Sequence, residues 1–256
     1  MDDPAILTPP GKKIYFASDF HLGSPTPEIS LEREKKIIRW LNSAKEDAHS
    51  IYILGDIFDF WFEYRHTIPK GFARLLGAFA DFRDSGIEII FFTGNHDMWM
   101  FDYFPKEFGI PVYKKPISVY IDKKKFMIGH GDGLGPGDRK YKIIKKIFEN
   151  KVSQWMFSWI HPNIGVPIAN ILSKNSRDKN LNKDLEFHGE KEWLIQHCRN
   201  IEQRDHHDYY IFGHRHFPID TRFNEVSRYI NLGDWMNHFT YAVWDKNEIR
   251  LEKFEG

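Results

Sequence analysis

The chain has 256 residues, with 36 basic and 36 acidic side chains for a formal charge of zero, and a single cysteine, Cys198. That length fits one large α/β domain, or one domain with an insertion. One cysteine excludes an intrachain disulfide and points to a reducing compartment. The segment from Met1 to Pro10 lacks the basic and apolar regions of a signal peptide and reads as a short extended lead-in. An apolar run, Ile14-Tyr15-Phe16, predicts the first strand and leads into Asp19-Phe20-His21. Ser30 is placed to cap a helix whose apolar positions are Leu31, Ile37, Ile38, Leu41 and Ala44. A strand over Ile51 to Leu54 then runs into Gly55-Asp56-Ile57-Phe58-Asp59, and a second helix fits Phe72 to Phe82, ending at Gly86. Ile87 to Phe92 precedes Gly94-Asn95-His96-Asp97, and Phe126 to Ile128 precedes Gly129-His130-Gly131-Asp132. Tyr209 to Phe212 leads into Gly213-His214-Arg215-His216. Short strands come next, near 219–223, 228–231, 240–244 and 249–254. Two sheets packed face to face, with helices outside, are the natural solution for such a pattern.

All five polar motifs sit immediately after a strand-like run. Asp, Asn and His supply the oxygen and imidazole ligands that Mn, Fe, Zn and similar ions take. Residues just past the ends of strands in an open layered sheet converge on one rim. Side chains far apart in sequence can therefore meet there. The glycines at 55, 94, 129, 131 and 213 fit a backbone that turns sharply beside a metal. Two cations about 3.5 to 4 Å apart can deprotonate a shared water near neutral pH and clamp phosphate oxygens, so no side-chain nucleophile is needed. In agreement, the chain has neither a Gly-x-Ser-x-Gly elbow nor a Walker-type loop. The run from Gly131 to Gly137 is read as an exit from the metal site, because Pro136 and the missing helix start argue against a dinucleotide loop.

Taken together, these motifs resemble those of the calcineurin-like metallophosphoesterase superfamily, D-x-H, G-D, G-N-H-D/E, G-H and G-H-x-H, over residues 14 to 234. The resemblance implies a four-layer αββα sandwich. It implies that Asp19, His21 and His216 hold one divalent metal and Asn95, His130 and His214 another, with Asp56 bridging them. His96 becomes the catalytic histidine, with Asp59, Asp97 and Asp132 behind the ligands, where such carboxylates orient ligating histidines. Manganese is the expected metal, with iron or zinc as alternatives. Because all the ligands are present, a non-catalytic scaffold of this fold is the weaker reading. The phosphoprotein phosphatase branch also fits poorly, since Phe60-Trp61 stands where an arginine would be needed.

Between the fourth and fifth motifs lies a segment that the metal rim does not need. The core is expected over 11–137 and 206–256, with a helical cap insertion over 138–205. From Asp138 to Lys183 there are ten Lys or Arg against three acids, while Val152 to Ser173 carries no charge but includes Trp155, Phe157 and Trp159. Pro162, Gly165 and Pro167 make that block a poor transmembrane helix. Three readings stay open: a cap that buries its own faces, a nucleic-acid surface, and a lid facing lipid. Nucleic acid is the least favoured, because the aromatics form one uncharged block and do not alternate with the lysines. A narrower resemblance favours lipid. Ser18 to Gly23, Gly55 to Trp61 and the basic, aromatic insertion after His-Gly-Asp are similar to the UDP-2,3-diacylglucosamine pyrophosphohydrolase family of the lipid A pathway. It implies a nucleotide-linked lipid substrate, touched by Asp138, Tyr141, Ser176, Asn180 and Lys183, and a cytoplasmic protein peripherally bound to the inner membrane. In the best-known members of that family an arginine follows the third-motif asparagine, where this chain has His96.

Overall fold

The structure, a computed structural model, describes residues 3–136, 139–180 and 186–256, the side chains of 175–180 excepted. Strands β1 (Ala5–Ile6) and β2 (Lys13–Ala17) are followed by helix α1 (Pro27–Ala44), β3 (Ala48–Leu54), α2 (Ala73–Asp84), β4 (Glu88–Phe92), α3 (Tyr103–Phe108) and β5 (Val112–Tyr113). A hairpin of β6 (Ile117–Ile121) and β7 (Lys124–Ile128) leads to helices α4 (Arg139–Glu149), α5 (Lys151–Ser158), α6 (Pro162–Asn180) and α7 (Trp193–Glu202). The chain closes with β8 (Tyr209–Phe212), β9 (Pro218–Arg222), β10 (Arg228–Leu232), β11 (Thr240–Trp244) and β12 (Ile249–Lys253).

These strands form two six-stranded mixed sheets, ordered β1-β6-β7-β8-β10-β9 and β12-β11-β2-β3-β4-β5. Alternation along each strand sends one set of side chains between the sheets and the other outward. Ile14, Phe16, Tyr52, Leu54, Ile90 and Phe92 meet Val119, Phe126, Ile128, Ile211 and Ile230 in the interior. On one outer face Tyr15, Ile51, Ile53, Ile89 and Phe91 pack under Ile37, Trp40 and Leu41 of α1, Phe79 of α2 and Phe104 of α3. On the other, α7 lays Leu194, Ile195 and Cys198 against Tyr210, Phe212 and Tyr229. Each such side chain contributes about 1.5–3 kcal/mol on burial. The αββα layering expected from the sequence is present. Strands β2, β3 and β4 run parallel, as do β7 and β8, so the carboxyl ends within each set open on a common rim.

Two local expectations are corrected. Helix α1 begins a turn before Ser30, with Pro27 in its first turn and Thr26 as the cap, whose hydroxyl accepts from Ile29 N at 3.4 Å. Ser30 lies inside the helix and accepts from Gly23 N at 2.7 Å, tying the helix to the first motif. The amino-terminal lead-in is also more than extended coil, since Ala5 and Ile6 pair with Tyr120 and Ile121 as an edge strand.

Helices α4, α5 and α6 stand between β7 and β8, within the span where a cap was expected, whereas α7 from the same span packs on a sheet. Among the described residues, several polar contacts fasten the insertion to the sandwich. Asp132 accepts from Tyr141 Oη at 2.5 Å and pairs with Lys145 Nζ at 2.7 Å. Trp99 Nε1 donates to Phe148 O at 2.8 Å, and Ser173 Oγ donates to Asp59 O at 2.6 Å. Phe157 adds an apolar seat, its ring centroid 4.7 Å from Phe62 and 4.8 Å from Trp99. The opposite side is bare: Ile143, Ile147, Val152, Trp155, Met156 and Trp159 are exposed, as are Ile164, Ile168, Ile171 and Leu172. Among the described residues no helix is long and apolar enough to cross a membrane.

Candidate metal centre

Five of the seven expected ligands have left-handed backbones: Asp19 (φ 58°), His21 (44°), Asp56 (52°), His214 (66°) and His216 (54°). Non-glycine residues rarely adopt this region, at a cost of about 1–3 kcal/mol each, and they cluster at functional sites. Here the conformation turns each side chain off its strand end and into the rim. It is held by Asp19 N to Gly55 O at 3.1 Å, His21 N to Asp56 O at 2.9 Å and Trp235 N to Asp19 O at 3.0 Å. Arg33 adds a clamp that no motif singles out, since Nη1 donates to Phe20 O at 3.0 Å and His21 O at 2.8 Å. Gly94 and Gly213 are required for closeness and not for torsion. A Cβ on Gly94 would fall 2.1 Å from Asp56 Oδ1, and one on Gly213 would fall 2.0 Å from Ser18 Oγ.

The carboxylates are each half engaged. Asp56 Oδ1 accepts from His96 N at 2.9 Å and Asp19 Oδ2 accepts from His214 N at 3.0 Å. Asp56 Oδ2 and Asp19 Oδ1 are buried and make no aligned hydrogen bond. A buried orphan oxygen is costly, so its persistence calls for an explanation. Around Asp56 Oδ2 lie His21 Nε2 at 3.6 Å and His130 Nε2 at 3.4 Å, and around Asp19 Oδ1 lie His216 Nε2 at 3.1 Å and His21 Nε2 at 3.7 Å. His21 and His216 bring their Nε2 atoms within 3.2 Å, and His130 Nε2 lies 3.2 Å from His214 Nδ1. Donor atoms bound about 2.0–2.2 Å from one ion sit roughly 3.0–3.4 Å apart, and the separations here run from 3.1 to 3.7 Å, at or slightly beyond that spacing.

Among the described residues three groups could hold a metal: Asp19, His21, Asp56 and His216; Asp56, His130 and His214; and His21, Asp59 and His96; the first two share Asp56 and match the expected ligand sets. Asn95 joins the second group, its Oδ1 3.4 Å from His130 Nε2. His130 Nδ1 donates to Leu54 O at 2.6 Å, leaving Nε2 to face inward. The orphan oxygens, inward imidazoles and donor set fit divalent cations.

Electrostatics point the same way. Burial opposes ionisation of Asp19 and Asp56, yet facing imidazoles, His216 for the first and His130 for the second, hold both carboxyls well below the usual range. Burial likewise opposes charge on His21 and His130, but Asp19 and Asp59 beside the first and Asp56 beside the second push them up to about 10. For His214, burial and then the neighbouring His130 push the ring down to about 3. The rim thus concentrates negative charge and favours a compensating cation.

Of the residues expected behind the ligands, Asp59 faces His21, with Oδ1 3.4 Å from Nδ1. Asp97 instead staples backbones together, accepting from Gly94 N at 2.7 Å, Ile57 N at 2.8 Å and Asp56 N at 3.3 Å. Burial, and then the Asp56 charge, push its carboxyl up to about 7. Asp132 gives its carboxylate to the insertion, so the expected substrate contact Tyr141 has its hydroxyl engaged there. Asp138 and the side chains of Ser176, Asn180 and Lys183 lie outside the described residues. His96 sits edge-on to His21, with ring centroids 4.9 Å apart. Its Nδ1 lies 2.5 Å from Ser173 Oγ and 3.1 Å from Asp59 O. Nothing in the motifs singled out Ser173, because its partner lies 77 residues away.

Comparison with known proteins closes the case for the family. The calcineurin-like phosphoesterase family model matches residues 12–218. A UDP-2,3-diacylglucosamine hydrolase of Porphyromonas gingivalis is 38% identical over 256 residues, covering 95% of this chain and 98% of that protein. Proteins of the same name from Aeromonas salmonicida and Vibrio atlanticus are 28% and 26% identical, covering 93% and 95% of this chain and 92% and 98% of theirs. This chain is a metal-dependent hydrolase of phosphoric esters or anhydrides, and it belongs to the calcineurin-like phosphoesterase family.

Proposed function

We propose that the chain hydrolyses the pyrophosphate of UDP-2,3-diacylglucosamine, releasing UMP and 2,3-diacylglucosamine 1-phosphate. The observation that carries this reading is a long exposed apolar face on α4, α5 and α6, flanked by Lys140, Lys146 and Lys151, on an insertion anchored beside the metal rim. A soluble phosphodiester would need no such face, whereas two acyl chains would, at about 0.8 kcal/mol for each buried methylene. The names of the relatives from three organisms support the same substrate.

In this reading Asp19, His21, Asp56 and His216 hold one divalent cation, and Asp56, Asn95, His130 and His214 hold the second, manganese being preferred over iron or zinc. Bound there, such cations lower the pKa of water and neutralise phosphate oxygens as charge builds up. Asp56 keeps the two sites in register. His96, with Nδ1 engaged, directs Nε2 to the scissile phosphate, where it steadies charge and moves a proton at the leaving oxygen. Asp138, Tyr141, Ser176, Asn180 and Lys183 contact the uridine, glucosamine and phosphate groups. The apolar face receives the acyl chains at the cytoplasmic surface of the inner membrane, and the flanking lysines meet anionic headgroups. The test is release of UMP from UDP-2,3-diacylglucosamine by the full chain with added Mn²⁺. Hydrolysis of bis-p-nitrophenyl phosphate without UMP release would keep the phosphoesterase and discard the lipid substrate.

A further inference from the structure

Ser173 lies on α6 of the insertion, yet its hydroxyl reaches the metal rim. It has one proton to give, and that proton goes to Asp59 O at 2.6 Å. Toward His96 Nδ1, 2.5 Å away, the oxygen can then only accept. The other neighbour of Nδ1, Asp59 O at 3.1 Å, is a carbonyl and also only accepts. With two acceptors facing it, Nδ1 carries its proton whatever the charge of the ring. Nε2 is left as the nitrogen that meets anything held at the rim. The backbone around the ring is braced independently, by Trp61 N to His96 O at 3.3 Å and His96 N to Asp56 Oδ1 at 2.9 Å.

We infer that Ser173 is a positioning residue for His96, and that through it the seating of α6 completes the catalytic rim. The inference deepens the proposed role of His96 and rests on it. Ser173 directly follows Ile171 and Leu172, both exposed on the apolar face of α6. A ligand that packs on that turn therefore presses on the same turn that fixes the histidine.

The experiment compares wild type, Ser173→Ala and Ser173→Thr as full chains of equal metal content. With Ser173→Ala, kcat should fall about tenfold, roughly the loss of one good hydrogen bond, with KM changed less than twofold. The fall should appear for bis-p-nitrophenyl phosphate as well as for diacylated substrate, and Ser173→Thr should restore most of it. A rise in KM alone would make Ser173 a substrate contact and overturn the inference. An unchanged kcat, or failure of threonine to rescue, would do the same. Ring ¹⁵N spectra of the Zn²⁺-loaded chain, with His96 assigned from His96→Gln, provide a readout without substrate. They should show Nδ1 protonated in wild type, and a shifted Nδ1 resonance in Ser173→Ala, where the Asp59 carbonyl is the acceptor that remains. A wild-type ring protonated only at Nε2 would refute the inference even if UMP release succeeds, and protonation at Nδ1 would sustain it even if UMP release fails.

Discussion

The metal rim and the helical insertion obey opposite rules. At the rim, Asp19, His21, Asp56, Asp97 and His130 are buried, and Asp19 and Asp56 are each tied by one oxygen to a backbone N–H. Five ligand positions carry backbone strain, and at Asp19, His21 and Asp56 it is held by bonds between loops. On the insertion, Trp155 is 60% exposed and Trp159 75%, so most of each ring is open. The first region is preorganised, so it can stabilise charge without rearranging. The second leaves its apolar surface to be covered by something else. The buried ligands and the open apolar surface thus lie in different parts of one chain, joined where Ser173 reaches His96.

The largest expected effect strikes the rim alone. Asp56→Ala removes the oxygen common to both ligand groups, so metal content by elemental analysis should fall and hydrolysis of any substrate should drop by about 10³-fold or more. An active Asp56→Ala protein with two ions per chain would sink the proposed centre. Next, His96→Ala should keep its metal while kcat falls by about 10² to 10⁴. Metal loss there would instead make His96 a ligand. His96→Arg should retain turnover of diacylated substrate if this chain works like the arginine-bearing enzymes, since a guanidinium also grips phosphate.

Changes on the insertion should separate the two regions from the other side. Replacing Trp155, Trp159 and Ile171 with serine leaves the Phe157 seat intact. It should raise KM for diacylated substrate by about tenfold or more and leave bis-p-nitrophenyl phosphate hydrolysis nearly unchanged. Equal losses on both substrates would show that the face is structural. The smallest effect is expected from Lys140→Glu with Lys146→Glu and Lys151→Glu, read as weaker sedimentation with anionic vesicles. The difference should shrink as salt shortens the range of the attraction. Lys142 and Lys145 are poor choices for this test, because they bond Gly135 O and Asp132.

Local patterns carried the sandwich and the convergence of the motifs, because both depend on the few residues just past each strand. The features that escaped the sequence are long-range. Asp132 had a motif position like those of Asp59 and Asp97, but its partners Tyr141 and Lys145 come from a helix whose approach no spacing encodes. Arg33 and Ser173 carry no motif at all, and their importance lies in which carbonyls they reach. Ser30 misled as a cap because Thr26-Pro27 just upstream is the better start, and its hydroxyl had a tertiary use. The glycines were noticed as turn formers, but Gly94 and Gly213 are there to leave room for neighbouring side chains, which only three dimensions reveal.

Three of the insertion's fastenings bear on whether it could be exchanged between enzymes. Asp132, Trp99 and Asp59 lie two, four and three residues after His130, Asn95 and Asp56, so each attachment lands beside a ligand of the rim. A foreign insertion grafted between β7 and β8 would have to rebuild all three attachments or lose the hydrogen bonds they make to the Asp132 carboxylate, the Trp99 indole and the Asp59 carbonyl. Such chimaeras should lose metal geometry along with substrate preference. New specificities in this architecture are therefore more accessible by repainting the outer face of α4, α5 and α6 than by replacing the helices themselves.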